Sequence, residues 1–171
     1  MPYKPVIDGF EFAKSGSTIK GTWSVKEFPR LRDSLFDDSG AIEYELRGVH
    51  DAREGAGLRL TMGGTLQLVC QRCLGSLAYP LSVDRRFLLA RSQKEIDAEV
   101  LADDGPDRLL ASREMPVAVL IEDELLLELP LAPRHERCAV QAVESETKGG
   151  RAVLFSDLQG MLESEKAKRK H

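Results

Sequence analysis

The sequence predicts an α+β fold: a mainly antiparallel β-sheet or partly open barrel, with one long packed helix and a short C-terminal helix. Three observations carry that reading. Between Val6 and Arg91, apolar and polar residues alternate in short runs punctuated by glycine, the period of a strand with one wet face. Residues 117–129 are apolar on every side at 3.6 residues per turn, as in a helix packed deeply against a sheet, and Pro116 and Pro130 bracket them. The longest alternating runs are separated only by glycine-bearing breaks, which suits an antiparallel meander.

At 171 residues the chain is long enough for one domain with a real core and short for two. Residues 1–140 read as that domain, with an acidic loop at 92–108. The polar stretch 141–151 reads as a linker, and 152–171 as a short terminal helix with a basic tail. With 42% hydrophobic and 30% charged residues, the composition excludes a disordered or membrane chain. No apolar run approaches the roughly 20 residues that a membrane span requires. Met1-Pro2-Tyr3-Lys4-Pro5 lacks the layout of a secretory signal, so a cytoplasmic, reducing location is expected. There, three cysteines serve more readily as thiols or metal ligands than as disulfides. A net charge of −4 argues against a protein that coats nucleic acid with its whole surface. Contact with RNA should be local, or made through another protein.

Taken in order, residues 6–12 and 18–25 read as short strands, with Gly9, Gly16 and Gly21 as breaks. Residues 28–35 interrupt them as a short helix or turn, Leu31 and Leu35 sharing a face. Three longer strands follow at 41–49, 58–69 and 77–91, and Cys70 and Cys73 fall where the second ends in a hairpin turn. Residues 94–107 hold many acids and Gly105-Pro106, the composition of a mobile, solubilising loop. Along the long helix, Glu122, Asp123, Glu124 and Glu128 are expected to emerge at its margins. Pro130 and Pro133 make 134–138 an extended loop. Near the end, Ser156 and Gln159 have capping-box spacing, and Phe155, Leu158 and Leu162 form an apolar stripe.

The chain's three cysteines fall into two short motifs: Cys70-Gln71-Arg72-Cys73, and His135-Glu136-Arg137-Cys138 far downstream. Cys70 and Cys73 have the spacing at which two thiolates on a tight turn grip one metal ion. His135 and Cys138 would complete a tetrahedral zinc shell, structural because no position stays open. Reduced, partly buried thiols are the alternative, and oxidation between Cys70 and Cys73 a third. The usual metal knuckle has glycine directly after the second cysteine, whereas here Leu74 precedes Gly75. A thioredoxin-like role would want the first cysteine at a helix N-terminus, not at a strand end. Arg72, Arg85, Arg86, Arg134 and Arg137 lie near these segments in sequence. If the segments meet, their guanidinium groups form a local basic patch for RNA phosphates. Nucleophile elbow, P-loop and dinucleotide fingerprint are absent.

With these motifs in view, the chain resembles the YceD family, the large ribosomal RNA subunit accumulation proteins of bacteria. The resemblance rests on 66–73 with its Cys-Gln-Arg-Cys, on 119–130 with Glu122-Asp123-Glu124, on 133–138 with His135 and Cys138, and on 152–158. It implies a part in the synthesis, processing or stability of 23S rRNA, without established catalytic activity. Some branches of the family carry more cysteines at the second motif, where this chain has His135. The expectation is a non-catalytic ribosome biogenesis factor with a possible zinc. Its partner would be 23S rRNA or its precursor, met directly or through a ribosomal protein or RNA-processing factor. An RNA-processing enzyme or nuclease subunit holding magnesium on Glu122 and Asp123 is the alternative, as is a zinc- or thiol-dependent regulatory protein.

Overall fold

The computed structural model describes residues 4–52, 55–98 and 105–138. Its centre is a five-stranded sheet in the order β2-β3-β4-β5-β6. These strands are Thr18–Ser24, Ala41–Asp51, Gly55–Val69, Ser76–Ala90 and Asp107–Leu110. The first four form the predicted antiparallel meander, and β6 joins the outside of β5 in parallel. The sheet keeps two edges and does not close into a barrel. A separate two-residue pairing joins β1 (Val6–Ile7) to β7 (Met115–Pro116).

Alternation along the long strands separates a dry face from a wet one. Ile42, Leu46, Leu58, Leu60, Leu66, Leu68 and Phe87 are fully buried on the dry face. The wet face carries Glu43, Arg47, Arg59, Ser82 and Asp84, all exposed. Trp23 stacks on Tyr44 with ring centroids 4.7 Å apart and meets Phe28 edge-on at 5.8 Å. These contacts seat the 3₁₀ turns Val25–Glu27 and Pro29–Ser34, the predicted short helix or turn, over that end of the sheet.

Two expectations need correction. Residues 6–12 were expected as a strand, yet only Val6–Ile7 pair, and Gly9–Ser15 form a helix, α1. The Asp8 side chain caps it by accepting the Glu11 N–H at 3.1 Å, and Gly16 ends it at φ 61°. These capping residues outweigh a short alternation. The acidic stretch 92–108 is not wholly a loop, since Gln93–Ala98 form a helix, α2, and Asp107 opens β6. Glu95 accepts the Arg91 N–H at 2.8 Å at the start of α2, and the parallel edge of β5 recruits β6. The linker 141–151 and the terminal helix with its basic tail lie outside the described residues.

The helix α3 spans Val117–Glu128. It buries Val117, Leu120, Ile121 and Leu125, while Val119 and Leu127 face solvent. Glu122 and Glu124, expected at the margins, are each only 7% exposed. Each is held there by an arginine: Glu122 by Arg30 at 2.9 Å and Glu124 by Arg85 at 3.9 Å.

Helix α1 crosses the dry face where β3 has Gly48. A Cβ built there would lie 2.1 Å from the Phe12 carbonyl oxygen, which is backbone and cannot rotate away. Gly48→Ala is therefore expected to cost about 3 kcal/mol of stability by overpacking. Urea unfolding followed by circular dichroism measures this, with a Gly63→Ala control whose Cβ meets nothing closer than 3.9 Å.

Candidate metal centre

The β4–β5 ladder runs without a break from Gly57↔Leu88 to Val69↔Ser76, so its turn must be made by residues 70–75. Cys70 N–H donates to the Gly75 carbonyl and Leu74 N–H to the Cys70 carbonyl, both at 2.9 Å. That tight turn leaves Cys70 buried and Cys73 exposed. Gln71 N–H donates to the Pro133 carbonyl at 2.8 Å and docks the loop after α3 on the hairpin. Residues far apart in sequence thereby meet.

The donor atoms of Cys70, Cys73, His135 and Cys138 all lie within 4.8 Å of one another. Cys70 Sγ is 3.6 Å from Cys138 Sγ, and His135 Nδ1 is 3.4 Å from Cys73 Sγ and 3.7 Å from Cys138 Sγ. A tetrahedron of metal–sulfur bonds near 2.3 Å has edges of about 3.7 Å, so these separations suit one ion. His135 Nε2 lies 2.9 Å from the Ser76 carbonyl, which can only accept, so Nε2 carries a proton and Nδ1 is the ring nitrogen that faces the sulfurs. The arrangement is compatible with a bound metal ion.

The electrostatics agree with the geometry. Burial pushes the Cys70 thiol up, but backbone N–H groups of Cys73 and Arg72 directed at its sulfur outweigh that and draw it to about 5. Arg72 lowers the Cys138 thiol by hydrogen bonding, against burial. Gly75 N–H lowers Cys73, yet burial and the sulfurs of Cys70 and Cys138 push it up overall. Hydrogen bonding to Cys138 and then to Ser76 raises the His135 imidazole. Thiolates are favoured at two positions, and crowding opposes a third charge unless a cation shares the space.

The five arginines picked out by sequence do not form one patch. Arg72 turns into the site: its Nε donates to Cys138 Sγ at 2.9 Å and its Nη2 to the His135 carbonyl at 3.2 Å. Arg134 and Arg137 are exposed on the loop beside it. Arg85 and Arg86 lie nine and ten residues along β5 from Ser76, about 30 Å of extended chain. They also point to opposite faces, Arg85 meeting Glu128 at 3.3 Å on the helix side.

Sequence reasoning did not find Arg30, which no motif singles out. Its N–H and Nε donate to the two Glu122 oxygens at 2.7 and 2.9 Å, and its Nη1 donates to Asp123 at 2.6 Å. Glu122 and Asp123 are thus tied by one guanidinium rather than aimed at an open cation position.

The fold and site are thus a mainly antiparallel sheet with one dry face, and a cluster of three cysteines and one histidine where a hairpin meets a loop. The chain belongs to the YceD family, described as large ribosomal RNA subunit accumulation protein, with residues 58–152 matched. The match takes in β4 from Leu58 onward, the Cys-Gln-Arg-Cys turn, α3 and the His135–Cys138 loop. That description implies a role in accumulation of the large ribosomal RNA subunit. No solved structure matches the chain. Among the described residues, no helix is long and apolar enough to cross a membrane.

Two variants check this geometry. Leu74 takes φ 58°, the left-handed conformation for which glycine follows the second cysteine of a usual knuckle, and its side chain is exposed. Leu74→Gly is expected to stabilise the protein by about 1 kcal/mol, read as a higher urea midpoint. For Glu124, burial raises the pKa and nearby Arg85 only partly opposes it. The neutral acid therefore favours the fold, a contribution present in acid and lost as pH rises through the folded-state pKa. Glu124→Gln is expected to raise the thermal midpoint more at about pH 7 than at about pH 4, where the wild-type carboxyl is largely protonated.

Proposed function

We propose that this protein is a non-catalytic ribosome biogenesis factor of the cytoplasm, supporting synthesis, processing or stability of the 23S rRNA. Cys70, Cys73, His135 and Cys138 hold a structural zinc in this reading. The observation that carries it is the family match across the segments that converge on the donor cluster. Zinc would supply a cross-link between the β4–β5 turn and the loop after α3, and four protein ligands leave no position open for a substrate. Three thiolates and a neutral imidazole around a divalent ion give a net charge of about −1, which the neighbouring Arg72 guanidinium offsets. Occupation of Glu122 and Asp123 by Arg30 supports the non-catalytic reading. The partner is 23S rRNA or its precursor, reached directly or through a ribosomal protein or RNA-processing factor. Exposed Arg134 and Arg137 are phosphate contacts at the metal end in this reading.

The test is the ratio of 23S to 16S RNA in cells depleted of the protein and rescued by wild type or by Cys70→Ser. A selective fall in 23S is expected, restored by wild type and not by the variant at equal protein level. The purified wild type is expected to carry about one zinc per chain by mass spectrometry, and Cys70→Ser far less. An unchanged RNA ratio removes the biogenesis role, whereas substoichiometric metal after anaerobic purification removes the zinc.

A further inference from the structure

The sheet register places three arginines directly abreast: Arg47 on β3 opposes Arg59 on β4, which opposes Arg86 on β5. Strict alternation puts all three on the wet face, and all are exposed. Neighbouring strands are about 4.8 Å apart, so the row spans only about 10 Å. On β6, Arg108 sits opposite Leu88, two residues beyond Arg86, and extends the row on the same face. Like charges directly opposite on adjacent strands cost stability. With Lys20 and Arg108, the basic residues of this face outnumber its acids in a chain whose net charge is −4.

The acids that share this face are Glu43, Glu45, Asp51 and Asp84. Glu45 is held by Lys20 at 2.7 Å, and Asp84 by Arg59 through paired bonds of 2.9 and 2.6 Å. Beside the row opens a hollow of about 480 Å³ lined by His50, Asp51, Arg59, Asp84 and Arg86. Asp84 also lines a shallow trough of about 690 Å³ that brings the hydroxyls of Thr22, Thr61 and Ser82 to the same face. Register turns Trp23, Tyr44, Tyr79 and Phe87 to the dry face, which leaves His50 as the one ring in the hollow's lining and no extended platform for stacking single-stranded bases. Planar guanidinium forks and hydroxyls over a concave surface suit phosphates and ribose 2′-hydroxyls of a helical RNA.

We propose that the wet face at Arg47, Arg59 and Arg86 docks the sugar–phosphate backbone of duplex RNA. This rests on the reading that the protein serves the large-subunit RNA, and it supplies that reading with a direct contact surface. The surface is distinct from the metal end: Arg59 is eleven residues from Cys70 along β4, about 35 Å of extended chain. Recognition is of shape and charge, not of sequence.

Fluorescence anisotropy of a labelled RNA duplex tests it with the full-length chain as purified. Arg47→Glu/Arg86→Glu is expected to weaken binding about tenfold or more at about 100 mM salt and to reduce the salt slope by about 2. Lys14→Glu/Lys26→Glu, the same reversal of two charges at exposed positions off this face, serves as the comparison and is expected to bind near wild type. Unfolding midpoint and metal content report whether each variant is folded, and Arg47→Gln/Arg86→Gln replaces the reversal if it is not. Sheet variants that bind RNA as wild type does overturn the proposal, as does a wild type with no affinity for the duplex. Equal competition by vesicles of anionic lipid overturns it in favour of a general polyanion surface. In depleted cells, a 23S deficit cured by the sheet variant sinks this surface and leaves the biogenesis role standing. No 23S deficit on depletion sinks the role itself, while the anisotropy still decides the surface.

Discussion

The β4–β5 ladder is the constraint on which the rest of the molecule depends. Its register fixes where the hairpin turns, and so where Cys70 and Cys73 stand. It also decides which side chains reach the dry face, from Leu58 and Leu60 to Leu66 and Leu68. A slip of one residue would send those leucines into water and Arg59 into the core. The long apolar face makes such a slip costly, so a single pairing organises both the core and the cysteine turn.

Helix α3 transmits that order to the His135–Cys138 segment. Its sequence has apolar residues on every side, so ion pairs of its carboxylates help to set its rotation. Arg30 grips Glu122 and Asp123 from the 3₁₀ turn, while Arg85 reaches Glu124 and Glu128 from β5. Tyr79 adds a hydrogen bond from its hydroxyl to the Glu128 carbonyl at 3.2 Å. With the helix held at its middle and its C-terminal end, the chain that leaves it brings Pro133 onto Gln71 and His135 onto Ser76. The closest of these pairs, from Arg30 to Glu122 and Asp123, help to orient the helix, since a buried carboxylate such as Glu122 needs a partner.

Positive charge is distributed with the same economy. Several arginines are spent inward: Arg72 on Cys138, Arg30 and Arg85 on the helix. The wet face keeps its arginines in one row at one end of the sheet, and the exposed arginines of the ligand loop lie at the other. An acidic chain can thus present cationic surface locally without being basic as a whole.

Alternation in residues 41–49, 58–69 and 77–91 was enough to read the meander, because a strand with one buried face imposes a period of two on its own sequence. Proline brackets and spacing likewise sufficed for α3 and for the two halves of the donor set, which are local patterns. The N-terminal helix was misread because a short alternating run hid the Asp8 and Gly16 caps. What the sequence could not reveal were relations between distant segments: Arg30 with Glu122, the inward turn of Arg72, and the parting of Arg85 from Arg86. The row of Arg47, Arg59 and Arg86 was equally hidden, since cross-strand neighbours are set by register. Periodicity reports which way a side chain points, whereas only the folded ladder decides what stands beside it.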